Sequence, residues 1–305
     1  MLAIKNISKY YGGFKALDKI SFTIPTGEIV GILGPDGAGK TTLLRIINQV
    51  LHQDEGIITI GGEMLQPKHV SDIGYLPEER GLYKQMLVKD QLIYIAQLRG
   101  LSYRQAKKNL DNWLERLFIA EWKDERIGKL SEGIQQKVQF ITAVIHNPNL
   151  IILDEPFTEF DPINFGIIKQ NILDLNDQGA TILISTKDMG SVEQLCSSIV
   201  LINKSKKVLE GTVSDIREAF KEPVYSISFK GAKGIFNNNN KVTVLSEQTT
   251  CEINNLIVKL SDEYMAGEFI KDSMLENINL INFSEVTPSL NEIFIKIVDL
   301  NELVK

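Results

Sequence analysis

Two short segments hold residue types at spacings that could do phosphate chemistry. In Gly34-Pro35-Asp36-Gly37-Ala38-Gly39-Lys40-Thr41 the glycines let consecutive backbone N–H groups converge on phosphate oxygens. A side chain at those positions would crowd the ligand and restrict the dihedrals. Lys40 is expected to reach the β- and γ-phosphates of a nucleotide, and Thr41 to ligate Mg²⁺. The second segment, Leu150-Ile151-Ile152-Leu153-Asp154-Glu155-Pro156, is an apolar run ending in two acids. Parallel strands deliver such residues to the carboxyl edge of a sheet, beside a phosphate loop. Asp154 would then hold Mg²⁺ directly or through water, and Glu155 could take a proton from a water aligned with the γ-phosphate. Alone, an acid pair ending a strand is more often a helix cap or a solvated turn. The phosphate loop upstream favours catalysis.

These groups work only if the elements around them are the right ones. Glu28–Leu33 is continuous and β-branched, as in a buried strand, and runs straight into the glycine segment. Thr42-Leu43-Leu44-Arg45-Ile46-Ile47 follows with helical spacing, so Thr42 extends a helix start whose free N–H groups face the same anion. The opening residues predict strands at Leu2–Ile7 and Ile20–Ile24. From about Val88 to His146 the spacing is mainly helical, over Leu92–Leu98, Ala106–Phe118 and Glu132–Val144. This reads as a helical insert in an α/β domain. Beyond it, strands at Leu150–Leu153, Ala180–Ser185, Ile199–Ile202 and Lys207–Glu210 are separated by helices at Ile163–Leu175 and Val192–Leu195, which predicts a layered core.

The 305 residues are ordinary globular material, 43% hydrophobic and 24% charged, with a net charge of -6. Cys196 and Cys251 are too few for a disulfide scaffold and fit a reducing compartment, the opening residues lack a signal peptide's apolar core, and no run reaches the roughly 18 apolar residues of a membrane helix. A cytosolic chain is expected, with any spanning segment in a partner. The charge is uneven. Residues 1–221 hold 26 Lys+Arg and 27 Asp+Glu, whereas residues 222–305 hold 7 lysines, no arginine and 12 acids. The step falls at Lys221-Glu222-Pro223, which divides the chain into domains at 1–221 and 222–305. The acidic tail is a poor reader of a phosphate backbone, so no nucleic acid is expected as a partner. It predicts strands at Val224–Lys230, Val242–Leu245, Ile253–Leu260 and Ile278–Phe283, helices at Ala266–Met274 and Pro288–Leu300, and a loop tip at Asn237–Asn240. Leu290, Ile293, Phe294, Ile297 and Leu300 form one apolar stripe on the last helix.

Tyr11, Gly34–Thr41, Leu130-Ser131-Glu132-Gly133-Ile134-Gln135-Gln136, Leu150–Pro156 and Phe160-Asp161-Pro162 resemble, in order and spacing, the ATP-binding cassette of ABC transporters. The resemblance covers roughly residues 1–220. The tail, and Ile73-Gly74-Tyr75-Leu76-Pro77-Glu78-Glu79-Arg80-Gly81-Leu82-Tyr83, resemble those of bacterial exporters of the drug-efflux and sodium-extrusion kind. What the resemblance implies is an α/β P-loop NTPase cassette with a mixed sheet core and an inserted helical subdomain, followed by a small α+β domain. It further implies a Mg²⁺-dependent ATPase at the cytoplasmic face of the membrane, paired head-to-tail with a second cassette, identical or not, and bound to a membrane-spanning permease. Tyr11 would stack on adenine, Ser131 and Gly133 would cap the ATP of the opposite cassette, and Asp161 would couple the two sites. Ser131 also stands where it can cap the helix Glu132–Val144.

Three departures bear on that expectation. Glu78 stands at the usual glutamine that touches Mg²⁺ and the attacking water, and a carboxylate can still ligate the metal. Lys187 stands at the usual histidine, keeping a cation near the γ-phosphate without imidazole's neutral donor–acceptor pair. Thr158-Glu159-Phe160 replaces the usual serine-glycine-leucine. A regulatory cassette with little turnover is therefore the alternative, and Lys187→His is expected to raise turnover modestly. A soluble cassette acting on ribosomes or DNA is a further alternative, but there is one phosphate loop, and no zinc module or long coiled-coil insertion. Leu82, Tyr83, Met86 and Leu87 suggest a groove for a helix of the membrane subunit, or ordinary local core.

Overall fold

Alternating apolar residues at the start of the chain make a ladder with one buried face. Strand β1 (Leu2–Tyr11) pairs antiparallel with β2 (Phe14–Ile24) and with β4 (Glu55–Ile60), and β5 (Glu63–Met64) closes the edge, in the order β2-β1-β4-β5. Leu2, Ile4, Ile7, Leu17, Ile20 and Phe22 are buried in one core with Val30 and Ile32 of β3 (Ile29–Leu33) and with Leu43, Leu44, Ile46 and Ile47 of α1 (Lys40–Ile47). The computed structural model describes residues 1–79, 81–158, 160–231, 240–250, 252–261, 263–275 and 278–303. It divides into two compact units, Met1–Val213 and Ser214–Lys305.

The second sheet of the first unit positions the chemistry. Its order is β10-β9-β3-β8-β7-β6, with β6 (Ile73–Leu76), β7 (Leu150–Asp154), β8 (Thr181–Thr186) and β9 (Ser198–Asn203) running parallel beside β3. β10 (Lys206–Thr212) is antiparallel to β9, which makes the sheet mixed. Every residue of β3, β7 and β8 is buried, as expected where both faces are covered. Register then decides which ends meet: Leu33 pairs with Thr186, and Asp154 with Ser185. The carboxyl ends of β3, β8 and β7 therefore lie side by side.

The helical insert comprises α3 (Val88–Leu98), α4 (Tyr103–Arg116) and α5 (Glu132–Val144), linked by 3₁₀ turns at Ala120–Trp122 and Ile127–Lys129. Ser102 and Gln105 close a capping box on α4, and its stripe Leu110, Trp113 and Leu114 is buried, with Trp113 edge-on to Phe140 of α5 at 5.9 Å. The helix ends two residues short of the expected Phe118, which sits at φ 57 and terminates it. α2 (Pro67–Val70), β4 and β5 occupy a stretch whose residues carry no clear period in the sequence. α6 (Pro162–Asp177) and α7 (Met189–Leu195) complete the unit.

The second unit starts within α8 (Val213–Ala219), earlier than the composition step at Lys221. The reason is local. Arg217 donates from Nε to Pro288 O at 3.0 Å and from its guanidinium to Thr287 Oγ1 at 2.7 Å, which ties α8 to the tail. Four antiparallel strands follow in the order β12-β13-β11-β14: β11 (Val224–Lys230), β12 (Val242–Thr250), β13 (Ile253–Leu260) and β14 (Asn279–Glu285). They enclose Ile227, Phe229, Leu256, Val258, Leu260 and Phe269, the last from α9 (Ala266–Leu275). The final helix α10 (Leu290–Leu303) begins two residues after the expected Pro288, because Ser289 caps it. Ser289 N–H donates to Glu292 Oε2 at 2.7 Å, and Glu292 N–H to Ser289 Oγ at 3.2 Å. Leu290, Ile293 and Ile297 of its stripe are buried. Asn237–Asn239 of the expected loop tip, the Leu300 side chain, Cys251, Arg80 and Glu159 lie outside the described residues.

Candidate functional site

The chain leaves β3 through a loop that only glycine can make. A Cβ on Gly34 would stand 2.2 Å from Ile202 O, and one on Gly39, at φ 108, would stand 2.5 Å from Ala16 O. The loop is thus packed between β9 and β2, and α1 starts from Gly39 with its first-turn N–H groups unpaired within the helix. Lys40 folds back over the loop, its Nζ donating to Gly34 O at 2.8 Å and Pro35 O at 3.2 Å. The same nitrogen lies 3.8 Å from Glu155 Oε1.

Behind Lys40 stand the acids that β7 delivers. Asp154 is fully buried, and its Oδ1 accepts from Ser185 Oγ and, at 3.4 Å, from Thr41 Oγ1. Its Oδ2 is buried without a hydrogen-bond partner. Burial raises the Asp154 pKa, against the opposing pull of Ser185, Thr41, Lys40 and Arg45. An unpaired buried carboxylate oxygen beside a threonine hydroxyl is a hard oxygen donor set, and it fits Mg²⁺. Glu155 holds a left-handed backbone, φ 47, fixed by its N–H donating to Ser185 O at 2.9 Å. Its Oε2 accepts from Thr186 Oγ1 at 3.0 Å, and burial is the main cause of its raised pKa.

A cleft of about 330 Å³ opens over this floor. Its walls include Asp36, Gly37, Ala38, Gly39, Lys40, Thr41 and Thr42 from the loop and α1, with Glu78 and Glu155 opposite. Tyr11 and Phe14 form the outer wall, 46% and 61% exposed, and face each other across the β1–β2 turn. Gly34 and Pro35 lie beneath as acceptors of the Lys40 ammonium. Glu78 is held in place indirectly: Gln139 of α5 donates from Nε2 to Pro77 O at 2.8 Å and to Glu79 O at 3.3 Å. Lys187 stands on the rim, where its Nζ meets Asp36 Oδ2 at 3.1 Å. That carboxylate holds the lysine above its ordinary pKa.

Three expected residues are not on this cleft. Ser131 occupies the N-cap of α5 with extended backbone, but its side chain makes no capping bond, contrary to the sequence expectation. It and Gly133 sit at the helix start, away from the phosphate loop of their own chain. Asp161 is the side chain that does cap: its Oδ1 accepts from Ile163 N–H at 2.9 Å and Asn164 N–H at 3.0 Å. Those bonds pull its pKa down, the Asn164 amide most. Of the expected apolar groove, Tyr83 is exposed, whereas Leu82, Met86 and Leu87 are half-buried. Phe14, Ser185, Thr186 and Gln139 were not singled out by sequence. Ser185-Thr186 at the end of an apolar strand is the one signal that could have found two of them.

The ABC transporter family matches residues 17–158, and the C-terminal domain of DrrA1-3-like ATP-binding proteins matches residues 211–298. The uncharacterized ABC transporter ATP-binding protein YhaQ of Bacillus subtilis is 37% identical over 97% of this chain and 98% of its own length. A solved ATP-binding subunit of an ABC transporter superposes with a TM-score of 0.68 at 29% identity, covering 72% of this chain and 93% of that one. The dimeric structure of MJ0796, a bacterial ABC transporter cassette, superposes at 0.63 and 25% identity, over 70% and 99%. With a phosphate loop, an acid-tipped β7 and a helical insert in a mixed-sheet P-loop fold, followed by a small α+β domain, the chain belongs to the ABC transporter family as an ATP-binding cassette subunit.

Proposed function

We propose that the cleft binds Mg²⁺·ATP and hydrolyses it, in a head-to-tail pair with a second cassette, to drive export through a separate membrane-spanning permease. One observation carries the chemistry: Lys40, Thr41, Asp154 and Glu155 converge within hydrogen-bond or ion-pair reach although they come from two distant segments. In this reading the loop N–H groups and Lys40 bind the β- and γ-phosphates, and Tyr11 stacks on adenine. Thr41, Asp154 and Glu78 hold Mg²⁺, which supplies charge neutralisation at the phosphate oxygens. Glu155 accepts the proton of the attacking water as the water oxygen bonds to the γ-phosphorus. The bond from that phosphorus to the bridging oxygen breaks, and its electrons leave on ADP. The raised pKa of Glu155 suits a base, because a carboxylate kept out of water takes a proton more readily.

Ser131 and Gly133 serve the opposite cassette, which agrees with a helix start that leaves the Ser131 side chain out of capping. Asp161, fixed by its cap, sets the start of α6 near that junction. The DrrA1-3-like match over the tail supports the exporter reading, and in that reading the exposed Tyr83 meets the membrane subunit. In this reading attachment at the cytoplasmic face runs through that subunit; no helix among the described residues is long and apolar enough to cross a membrane. The test is Glu155→Gln. ATP binding is expected to persist while phosphate release falls by about 10²–10⁴-fold and a dimer accumulates in ATP. Undiminished phosphate release would remove Glu155 from the role of base.

A further inference from the structure

Asp36 puts a carboxylate into the wall of a cleft read above as a triphosphate site, where a second negative charge opposes the ligand. Its partner comes from a different element. Lys187, in the turn between β8 and α7, reaches across to Asp36 Oδ2 at 3.1 Å. The backbone on either side of Lys187 is anchored: Thr186 Oγ1 donates to Glu155 Oε2 at 3.0 Å, and Asp188 N–H donates to Thr186 Oγ1 at 3.0 Å. The lysine stem therefore swings from a fixed root. Both side chains are well exposed, 60% for Lys187 and 78% for Asp36, so the pair is weak and exchangeable rather than a structural lock.

The geometry points to Asp36 and Lys187 as one charge-compensating unit at the mouth of the cleft, in which Asp36 positions Lys187 and Lys187 cancels the carboxylate that would otherwise repel the nucleotide's phosphates. On this account the two are matched to each other. Lysine stands at position 187 because position 36 is an acid, and removing the cation alone leaves the acid facing the phosphates.

This inference rests on the cleft being an ATP site, so binding by the wild type is measured first, by titrating a fluorescent ATP analogue with Mg²⁺, alongside KM and kcat for phosphate release. Lys187→Gln is expected to weaken binding and raise KM by about threefold to tenfold. Adding Asp36→Asn to Lys187→Gln should return binding to within about twofold of wild type, and the same rescue should hold for Lys187→His. Melting temperatures are expected to stay level across the set, which separates a binding effect from unfolding. A double variant as weak as Lys187→Gln alone, or weaker, would overturn the inference while leaving the ATP site intact. Failure of the wild type to bind the analogue would overturn both.

Discussion

Replacing Asp154 by asparagine should stabilise the protein without nucleotide while disabling the site. Asp154 is fully buried, shares Oδ1 between Ser185 and Thr41, and leaves Oδ2 without a partner. Burying an unsatisfied polar atom costs about 1–3 kcal/mol, and more when it is charged. Asparagine keeps the accepting oxygen and removes the charge, while its amide nitrogen takes the unpartnered place of Oδ2, so the gain is only the extra cost of the charge. For a unit of 213 residues each kcal/mol moves Tm by about 2–4 °C, so relief of about 1 kcal/mol should make the variant melt roughly 2–4 °C above wild type in EDTA. The sign with pH is fixed by the raised pKa of Asp154. Below its unfolded pKa the wild-type group is neutral in both states and the gap closes; as pH rises through the raised folded pKa the wild type loses stability and the gap opens. Mg²⁺·ATP should reverse the order, because a ligand at about 100 times its Kd adds about 2.7 kcal/mol to the wild type and much less to the variant. Scanning calorimetry in EDTA and in Mg²⁺·ATP checks both halves. A variant that melts below wild type in EDTA at neutral pH would refute the argument that burying the Asp154 carboxyl costs stability.

Gly34→Ala should lower Tm and yield, since its Cβ would lie 2.2 Å from Ile202 O and a core strand must move; overpacking of this kind costs about 1–3 kcal/mol, and an unchanged melt would contradict the packing. Ser131→Ala should change stability by less than about 0.5 kcal/mol, because the serine makes no capping bond, while Asp161→Ala should melt distinctly lower through loss of a real cap. Steady-state phosphate release should nonetheless fall in Ser131→Ala, and a complementation assay mixing it with Lys40→Ala should restore one working site.

The phosphate loop was legible because all its parts are adjacent: a β-branched strand, glycines that tolerate close approach, and a helix start. The stripe on α4 and the bounds of β11, β13 and α5 were legible for the same reason, as periods set by local geometry. The stretch holding β4, β5 and α2 was not, because the first three residues of Glu55–Ile60 are exposed and only Ile58 and Ile60 turn to the core, too short an alternation to read. Ser131 shows the limit of a local rule. A serine before a helix predicts a cap, yet a side chain has other rotamers, and here the bond is not made.

Sequence alone determined which residues could bind phosphate and metal, and that an acidic second domain follows a nearly neutral one. It could not say that Asp154 lies against Thr41, that Ser185 and Thr186 hold the two acids, or that Lys187 spends its charge on Asp36. Those contacts depend on strand order. β8 is inserted between β3 and β7, so residues far apart along the chain share one sheet edge. The identity of each reactive group is a local property of the chain, whereas its partners, burial and pKa are set by which strand ends the sheet brings together.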